Sequence, residues 1–497
     1  MLCCTIGQYS TTHAIRYPDA MSNIVGLIKR AIRRDLDEKA GQLIKSYGKY
    51  LSKRDLASII GFMNRHKRYP YGVVRYIYYE SVHRDEFDPS ANTNWLICCA
   101  SEQGYYEVVR LLLADKRVDP HGFTNHPIIH ASRNGHIKVV RALLADSRVD
   151  PSQNYNCALR KASKHGHIEI VRLLLEDRRV DPRAFNVLSS TAIEKACSNG
   201  HTKIVRLLLN NKRTNPGINN NFALRVACDL GHTKIVQLLL PLIGLNIDPR
   251  ALDNEAIRNA SFGGHVEIVR LLLEDERVDP CVGGGWLHSP IQSACTKGRT
   301  EVVKLLLKDG RLDPRVGDNY AIQTASSNGH TEVVQLLLDD GRPDPCADDD
   351  SALRNACRYG HVDVVRMLLA YGKCDPYANG DSAIYFASLN GHTEVVRLLL
   401  EDGRANPEAG NSIAIRCASG NGRVGVVRLL LDDKRSDPSA KNNEAIYLAC
   451  NNKHIEVMRI LLDDRRTIEA GMSRVLHCAT YLKDRQIIDL LMNAMKV

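Results

Sequence analysis

No apolar run in this 497-residue sequence approaches the ~20 residues that a membrane-crossing helix needs. The longest, of the type Val-Val-Arg-Leu-Leu-Leu, are broken by their own arginine. The first residues, Met1-Leu2-Cys3-Cys4-Thr5-Ile6, lack the charged start and long apolar core of a secretion signal. A soluble, cytoplasmic chain is therefore expected. A concentrated basic face is missing as well. The net charge is +10, but residues 1–90 hold 15 Lys and Arg against 9 Asp and Glu, so the other 407 residues carry only +4. That is too dilute to announce nucleic-acid binding. Catalytic signatures are absent too. Gly283-Gly284-Gly285 is not followed by the Lys-Ser/Thr of a phosphate loop, and there is no G-x-S-x-G, H-E-x-x-H or kinase motif. No catalytic residue, metal site or cofactor is expected, and the chain reads as a non-enzyme.

Cysteine is plentiful, at 15 residues, yet lacks the spacing of a metal or disulfide framework. Cys3-Cys4 and Cys98-Cys99 are adjacent rather than C-x₂-C. Cys197, Cys228, Cys295, Cys357 and Cys450 each follow an Ala, where parallel segments have Ser132, Ser163, Ser261, Ser326 and Ser388. A slot that takes Cys or Ser alike wants a small packed residue in a reducing compartment.

What is present is a period. An Asp/Asn-Pro pair begins at 88, 119, 150, 181, 215, 248, 279, 313, 344, 375, 406 and 437, with intervals of 31, 33 or 34 residues only. A fixed interval of that size denotes a solenoid. The reference segment is Glu255–Pro280. A short helix, Glu255 to Phe262, is stopped by Gly264, which takes a left-handed cap without a Cβ clash. A second helix from Val266 carries Ile268, Val269, Leu271, Leu272 and Leu273 as a wide apolar face. Asp279-Pro280 halts it, since proline donates no N–H and disfavours helix in the residue before it. About ten polar residues lead to the next repeat. Counting from Asn92 gives 13 helix pairs, a stack expected to run on the order of 110–130 Å at ~8–10 Å per layer. Extra loop residues fall at 187–190, 241–245 and 283–286. The last repeat, from Met472 to Val497, lacks Gly-His and reads as a C-terminal capping repeat, closing an array over 91–471.

Residues 1–90 differ. Residues 1–19 have no periodicity, and helix is expected from Ser22, with Ser52 as a further N-cap. Val73–Tyr79 reads as a degenerate second helix, one turn longer than its counterparts and running to Phe87-Asp88-Pro89. The segment is either a divergent cap over the exposed end of the stack or a separate docking module.

Gly329-His330-Thr331-Glu332-Val333-Val334-Gln335-Leu336-Leu337-Leu338 resembles the second half of the ankyrin repeat, G-H-x-E-V-V-x-L-L-L. The first half, T-P-L-H-x-A-A in the family, has become Ser351-Ala352-Leu353-Arg354-Asn355-Ala356, and only Pro127 and Pro290 keep the family's proline. The resemblance covers residues 92–497 and implies an all-α, ankyrin-type solenoid. The shortened loop, such as Leu431 to Glu444, predicts tight turns with little or no β-hairpin. The Asp-Pro phrasing resembles arrays of large DNA viruses of amoebae and of some protists and fungi; a viral chain of this kind would be in the host cytoplasm. The family implies that the repeated His (136, 167, 201, 232, 265, 330, 361, 392, 454) ties adjacent loops together, with Tyr105, Arg299 and Arg423 in the same slot. The Arg/Lys series Arg110, Arg172, Arg270, Lys304 and Arg397 carries an acid three residues earlier, an ordinary solvated pairing.

The family's concave groove corresponds to the pair of residues that end the first helix. Here the candidates for partner binding are Arg133, Lys164, His165, Asp229, Leu230, Phe262, Lys297, Arg358, Tyr359 and Leu389. Exposed aromatic and arginine side chains are the kinds that become binding hot spots. The expected function is a monomeric protein–protein scaffold. The alternative is a substrate-recruiting adaptor of a ubiquitin ligase, with residues 20–90 on the ligase.

Overall fold

The computed structural model describes residues 17–34, 36–48, 51, 53–66, 68–83, 91–120, 126–185, 190–281 and 289–495. Among these the regular structure is helical, without a strand. Thirteen pairs of inner and outer helices follow one another, from Ala91–Gln103 with Tyr106–Ala114 to Ser473–Leu482 with Arg485–Ala494.

The outer helix Val266–Glu274 shows why the repeated phrase folds as it does. Ile268, Val269 and Leu272 are fully buried, each worth about 1.5–3 kcal/mol of burial. Leu271 and Leu273 are only half-buried. The expected five-residue apolar face is thus narrower than the sequence suggests. At 3.6 residues per turn, only the middle leucine of three points at the core. The inner helix buries Ala256, Ile257, Ala260 and Ser261, a small-residue surface that lets neighbouring inner helices pack closely. The Cys/Ser slot is fully buried throughout, as in Cys197, Cys228 and Ser326.

The connection into the inner helix is a tight turn without a strand among the described residues, as expected, and its backbone has a particular form. In eight repeats three successive residues take left-handed helical angles just before the right-handed helix begins. In the reference repeat these are Leu252, Asp253 and Asn254, with φ of 55, 56 and 57°. Left-handed backbone costs an L-residue about 1–2 kcal/mol, least for Gly, Asn and Asp. Accordingly all but Tyr155, Leu252, Ser412 and Lys441 in these turns are Asn, Asp or Gly.

The chain divides into two compact units. The first comprises residues 1–218 with 244–246 and holds four N-terminal helices and four helix pairs. The N-terminal helices are Tyr17–Arg33, Asp37–Tyr47, Lys53–His66 and Tyr71–His83. The first therefore starts five residues before the expected Ser22. The last has 13 residues against 9 in Tyr106–Ala114, the extra turn expected. Their core is built on Ile28, Ile32, Ile44, Ile59, Met63 and Ile77. The second and fourth cross so closely that a Cβ on Gly72 would lie 2.7 Å from Gly41 Cα, so glycine is required there. Ser52 and Phe87-Asp88-Pro89 lie outside the described residues, as do residues 187–189 and 283–286 of the expected loop insertions.

The second unit, residues 219–243 and 247–497, stacks nine helix pairs. The insertion at 241–245 contains a turn of 3₁₀ helix, Ile243–Leu245. In the last pair, Lys483 takes the left-handed cap position usually held by glycine, and the Asp484 side chain accepts from the Ile487 N–H as N-cap.

Candidate recognition surface

Up to three side chains per repeat, among the described residues, fasten it to a neighbour, and they decide which residues remain free. The first is the repeated histidine. His167 Nε2–H donates to the Arg133 carbonyl at 2.9 Å, His265 to Asp229 at 2.8 Å, His361 to Ser327 at 2.9 Å and His454 to Gly420 at 3.1 Å. Where the slot holds arginine the bond persists: Arg299 Nε donates to the Phe262 carbonyl and Arg423 Nε to that of Leu389. Tyr105 serves likewise, its hydroxyl donating to the Tyr69 carbonyl at 2.7 Å. The histidines are structural ties, spread one per layer. The glycine before each carries a second constraint. Gly135 has φ of 84°, and a Cβ there would meet the His167 ring at 2.7 Å.

The second fastener is absent from the sequence expectations. An arginine two residues before the Asp-Pro pair folds back bidentately onto the Asp two residues before itself, as Arg148 does on Asp146 at 2.6 and 3.0 Å. Its Nη1 donates to the Val118 carbonyl and its Nη2 to that of Leu113, each at 2.7 Å, both in the preceding repeat. Arg179, Arg277, Arg311, Arg342, Arg404 and Arg435, and Arg466 where no Asp-Pro pair follows, repeat the contact to the carbonyl 30 or 33 residues back. Carbonyls ending a helix have no partner within it, and a planar cation at a helix C-terminus also meets the favourable end of the dipole. Hydrogen bonding to Arg148 holds the Asp146 carboxyl below its usual range. The signal was in the sequence as Arg-x-Asp/Asn-Pro; the outer-helix arginines are the ones that draw the eye. Those make exposed i,i+3 pairs such as Arg110–Glu107 and Arg270–Glu267, each 3.3 Å, worth tenths of a kcal/mol.

The third fastener is the last residue of the left-handed turn, six after each Asp/Asn of the Asp-Pro pairs. Asn221, Asp381 and Ser412 accept the N–H of the next repeat's Asp248, Asn406 and Asp437 at 3.0, 2.7 and 2.9 Å. Asn156 and Asn443 instead donate to carbonyls of Asp181 and Thr467.

With these positions committed to stacking, the ends of the inner helices stand out. Of the ten candidates, Arg133, Lys164, His165, Asp229, Leu230, Phe262, Lys297, Arg358 and Tyr359 are exposed, and Leu389 is half-buried. Phe262 is 46% exposed and Tyr359 56%, high for rings of their size. In the first unit Arg133 and Lys164 form a cationic pair beside His165. Partial desolvation, then the charges of Lys164 and Arg133, hold the His165 imidazole below its ordinary pKa. In the second unit the candidates pair as cation and ring. Lys297 Nζ lies 4.7 Å from the Phe262 ring centre, and Arg358 lies 4.3 Å over Phe386, an aromatic the sequence reading passed over. A further open depression of about 490 Å³ in the last repeats is lined by Tyr447, Asn451, Arg474, His477, Cys478 and Tyr481, with the Arg474 guanidinium 3.9 Å over Tyr447.

Elsewhere, Cys346, Asp350 and Cys374 place their ligand atoms within 4.8 Å of one another. The sequence expectation of no metal site rested on short Cys spacings. These two cysteines are 28 residues apart and meet only because one repeat returns the chain to its start.

The arrangement is that of a helical-repeat recognition protein, with stacking contacts fixed and the inner-helix ends variable. A family model described as ankyrin repeats (3 copies) matches residues 96–186, 181–253, 294–379, 371–442 and 414–497. The chain belongs to the ankyrin repeat family, whose repeats are generally protein–protein interaction modules. No curated protein matches it in sequence. No helix of the described residues is long and apolar enough to cross a membrane.

Proposed function

We propose that this chain is a non-enzymatic scaffold that binds protein partners through the exposed ends of its inner helices, the face corresponding to the ankyrin groove. One observation carries the reading. Stacking positions are held to His, Arg, Asn and Gly from repeat to repeat, whereas the inner-helix ends vary freely and expose Phe262, Arg358 and Tyr359. Large rigid side chains left uncovered in an otherwise fastened framework suit hot-spot binding. The cations Arg133 and Lys164 suit an acidic partner segment on the first unit, while the cation–ring pairs suit an apolar one on the second. Residues 1–90 act as a cap in this reading. The Tyr105 hydroxyl bonds the Tyr69 carbonyl and its ring meets Tyr71 edge-on at 5.0 Å, so these helices continue the repeat-to-repeat contact.

The test is affinity capture with the intact chain, compared with Phe262→Ala/Tyr359→Ala and with Arg133→Glu/Lys164→Glu. Each pair should lose partners selectively while the thermal midpoint stays unchanged. Unchanged capture by both pairs would refute the assigned face. A large fall in midpoint would show the residues to be structural.

A further inference from the structure

The three ligand-forming side chains near residue 350 are positioned by backbone features already described, so their convergence is built into the repeat. Cys346 follows Asp344-Pro345, and its N–H is held by Asp344 Oδ1 at 3.0 Å. Asp350 ends the left-handed turn, with φ of 57°, and its N–H returns to the Cys346 carbonyl at 3.0 Å. Cys374 precedes the next Asp-Pro pair, and its carbonyl is gripped by Arg404 Nη1 at 2.8 Å. The two Sγ atoms are 3.5 Å apart. Asp350 is 6% exposed and Cys374 fully buried, while Cys346 is half-buried and faces solvent in part. Asp350 Oδ1 is buried without a hydrogen-bond partner among the described residues. The groups beside this buried carboxyl are the Cys346 and Cys374 thiols, and a cation placed among the three would meet the carboxylate charge.

The combination is particular to this repeat. Elsewhere the Cys374 slot is mostly apolar, as in Val149 or Leu312, with Thr214 and Ser436 as polar exceptions, and the Asp350 slot is usually asparagine. Tetrahedral zinc with Zn–S of about 2.3 Å and Zn–O of about 2.0 Å places its sulfurs about 3.8 Å apart and sulfur from oxygen about 3.5 Å. The observed 3.5 Å between sulfurs lies within a few tenths of that spacing.

We propose that Cys346, Asp350 and Cys374 form a site for a thiophilic divalent cation of the zinc class, with solvent as fourth ligand on the Cys346 side. The ion ties the start of one repeat to its end and so locks the pair Ala347–Tyr359 and Val362–Tyr371. On binding, the two thiols release their protons to solvent and both sulfurs coordinate as thiolates. A disulfide is the competing fate of the two sulfurs, but it would leave Asp350 Oδ1 still unpaired.

The experiment titrates the reduced, full-length chain with Co²⁺ and follows the thiolate-to-metal charge-transfer absorption, then displaces Co²⁺ with Zn²⁺. One ion per chain is expected, bound tetrahedrally. Cys374→Val installs the kind of residue other repeats use, and should fold normally by circular dichroism while abolishing the absorption. Asp350→Asn should weaken binding by ~10-fold or more. Zn²⁺ should also slow hydrogen exchange in residues 347–371 of the native chain and not of Cys374→Val. The proposal is overturned if the native chain and Cys374→Val bind Co²⁺ alike, or if Asp350→Asn binds as tightly as the native chain. A protein isolated with the two cysteines oxidised, and binding no Co²⁺ after reduction, would overturn it as well.

Discussion

Replacing Asp381 by asparagine should stabilise the protein at neutral pH. Asp381 is 1% exposed; Oδ1 accepts the Asn406 N–H at 2.7 Å, and Oδ2 is buried without a partner among the described residues. Burial, with the charge of Asp375 adding, holds its carboxyl above the usual range. Asparagine in the same slot at 156 and 443 donates to a carbonyl through Nδ2, at 3.0 and 2.9 Å, and carries no charge, though its Oδ1 is then the atom without a partner among the described residues. Asp381→Asn removes the buried charge while retaining a hydrogen bond in the slot, to the Asn406 N–H or to a carbonyl, a gain of about 1–2 kcal/mol. Because the folded-state pKa is raised, the native chain is favoured when the carboxyl is protonated and loses that advantage as pH rises through the folded value. The difference between variant and native chain should therefore be smallest in acid, grow as pH rises, and level off above that pKa. Repeat arrays open in segments, so the assay is hydrogen exchange of the helices Ala378–Asn390 and Ala409–Gly420. Protection should rise about 5- to 30-fold at pH 7. Unchanged or faster exchange, or a gain independent of pH, would refute the reasoning.

Two other substitutions test the fasteners between repeats. Arg148→Ala should cost about 1–3 kcal/mol by freeing the carbonyls of Val118 and Leu113 to solvent, and Arg148→Lys should recover less than half, since an ammonium cannot fork between them; full rescue by lysine in urea unfolding would show that charge alone matters. His265→Arg should lie within about 0.5 kcal/mol of the native chain, because Arg299 and Arg423 make the same bond, whereas His265→Ala should lose about 1 kcal/mol in the same assay. Equal losses for both would mean that ring packing against Gly231, not the hydrogen bond, is what counts.

Much of the fold was legible because it is written thirteen times. The helix Val266–Glu274 and its preceding Gly-His follow from local periodicity and backbone chemistry, and repetition averages away single-residue noise, although the helix ends at an extended Asp275, ahead of the Asp279-Pro280 pair expected to stop it. The histidine slot was readable as structural for the same reason: Tyr and Arg replace it. The arginine fasteners were hidden in plain sequence. Arg148 and Arg110 look equally like surface charges, and only contacts 30 and 35 residues back distinguish the first. The left-handed turns escaped notice too, since Asn- and Asp-rich segments usually denote plain loops. Among the candidate recognition residues, exposure at Phe262 and Tyr359 follows from helix register, but the pairing of Arg358 with Phe386 requires two stacked repeats.

The sequence alone determined the repeat, its helix boundaries, its shortened length and its ankyrin kinship, because these depend on interactions within about thirty residues. Tertiary structure decided which arginines grip carbonyls, which Asx side chains bridge repeats, and that Cys346, Asp350 and Cys374 share one place. Those contacts depend on how one layer lies on the next. Stacking brings residues a full repeat apart to within hydrogen-bonding distance, a relation that periodicity announces in general and only packing makes specific.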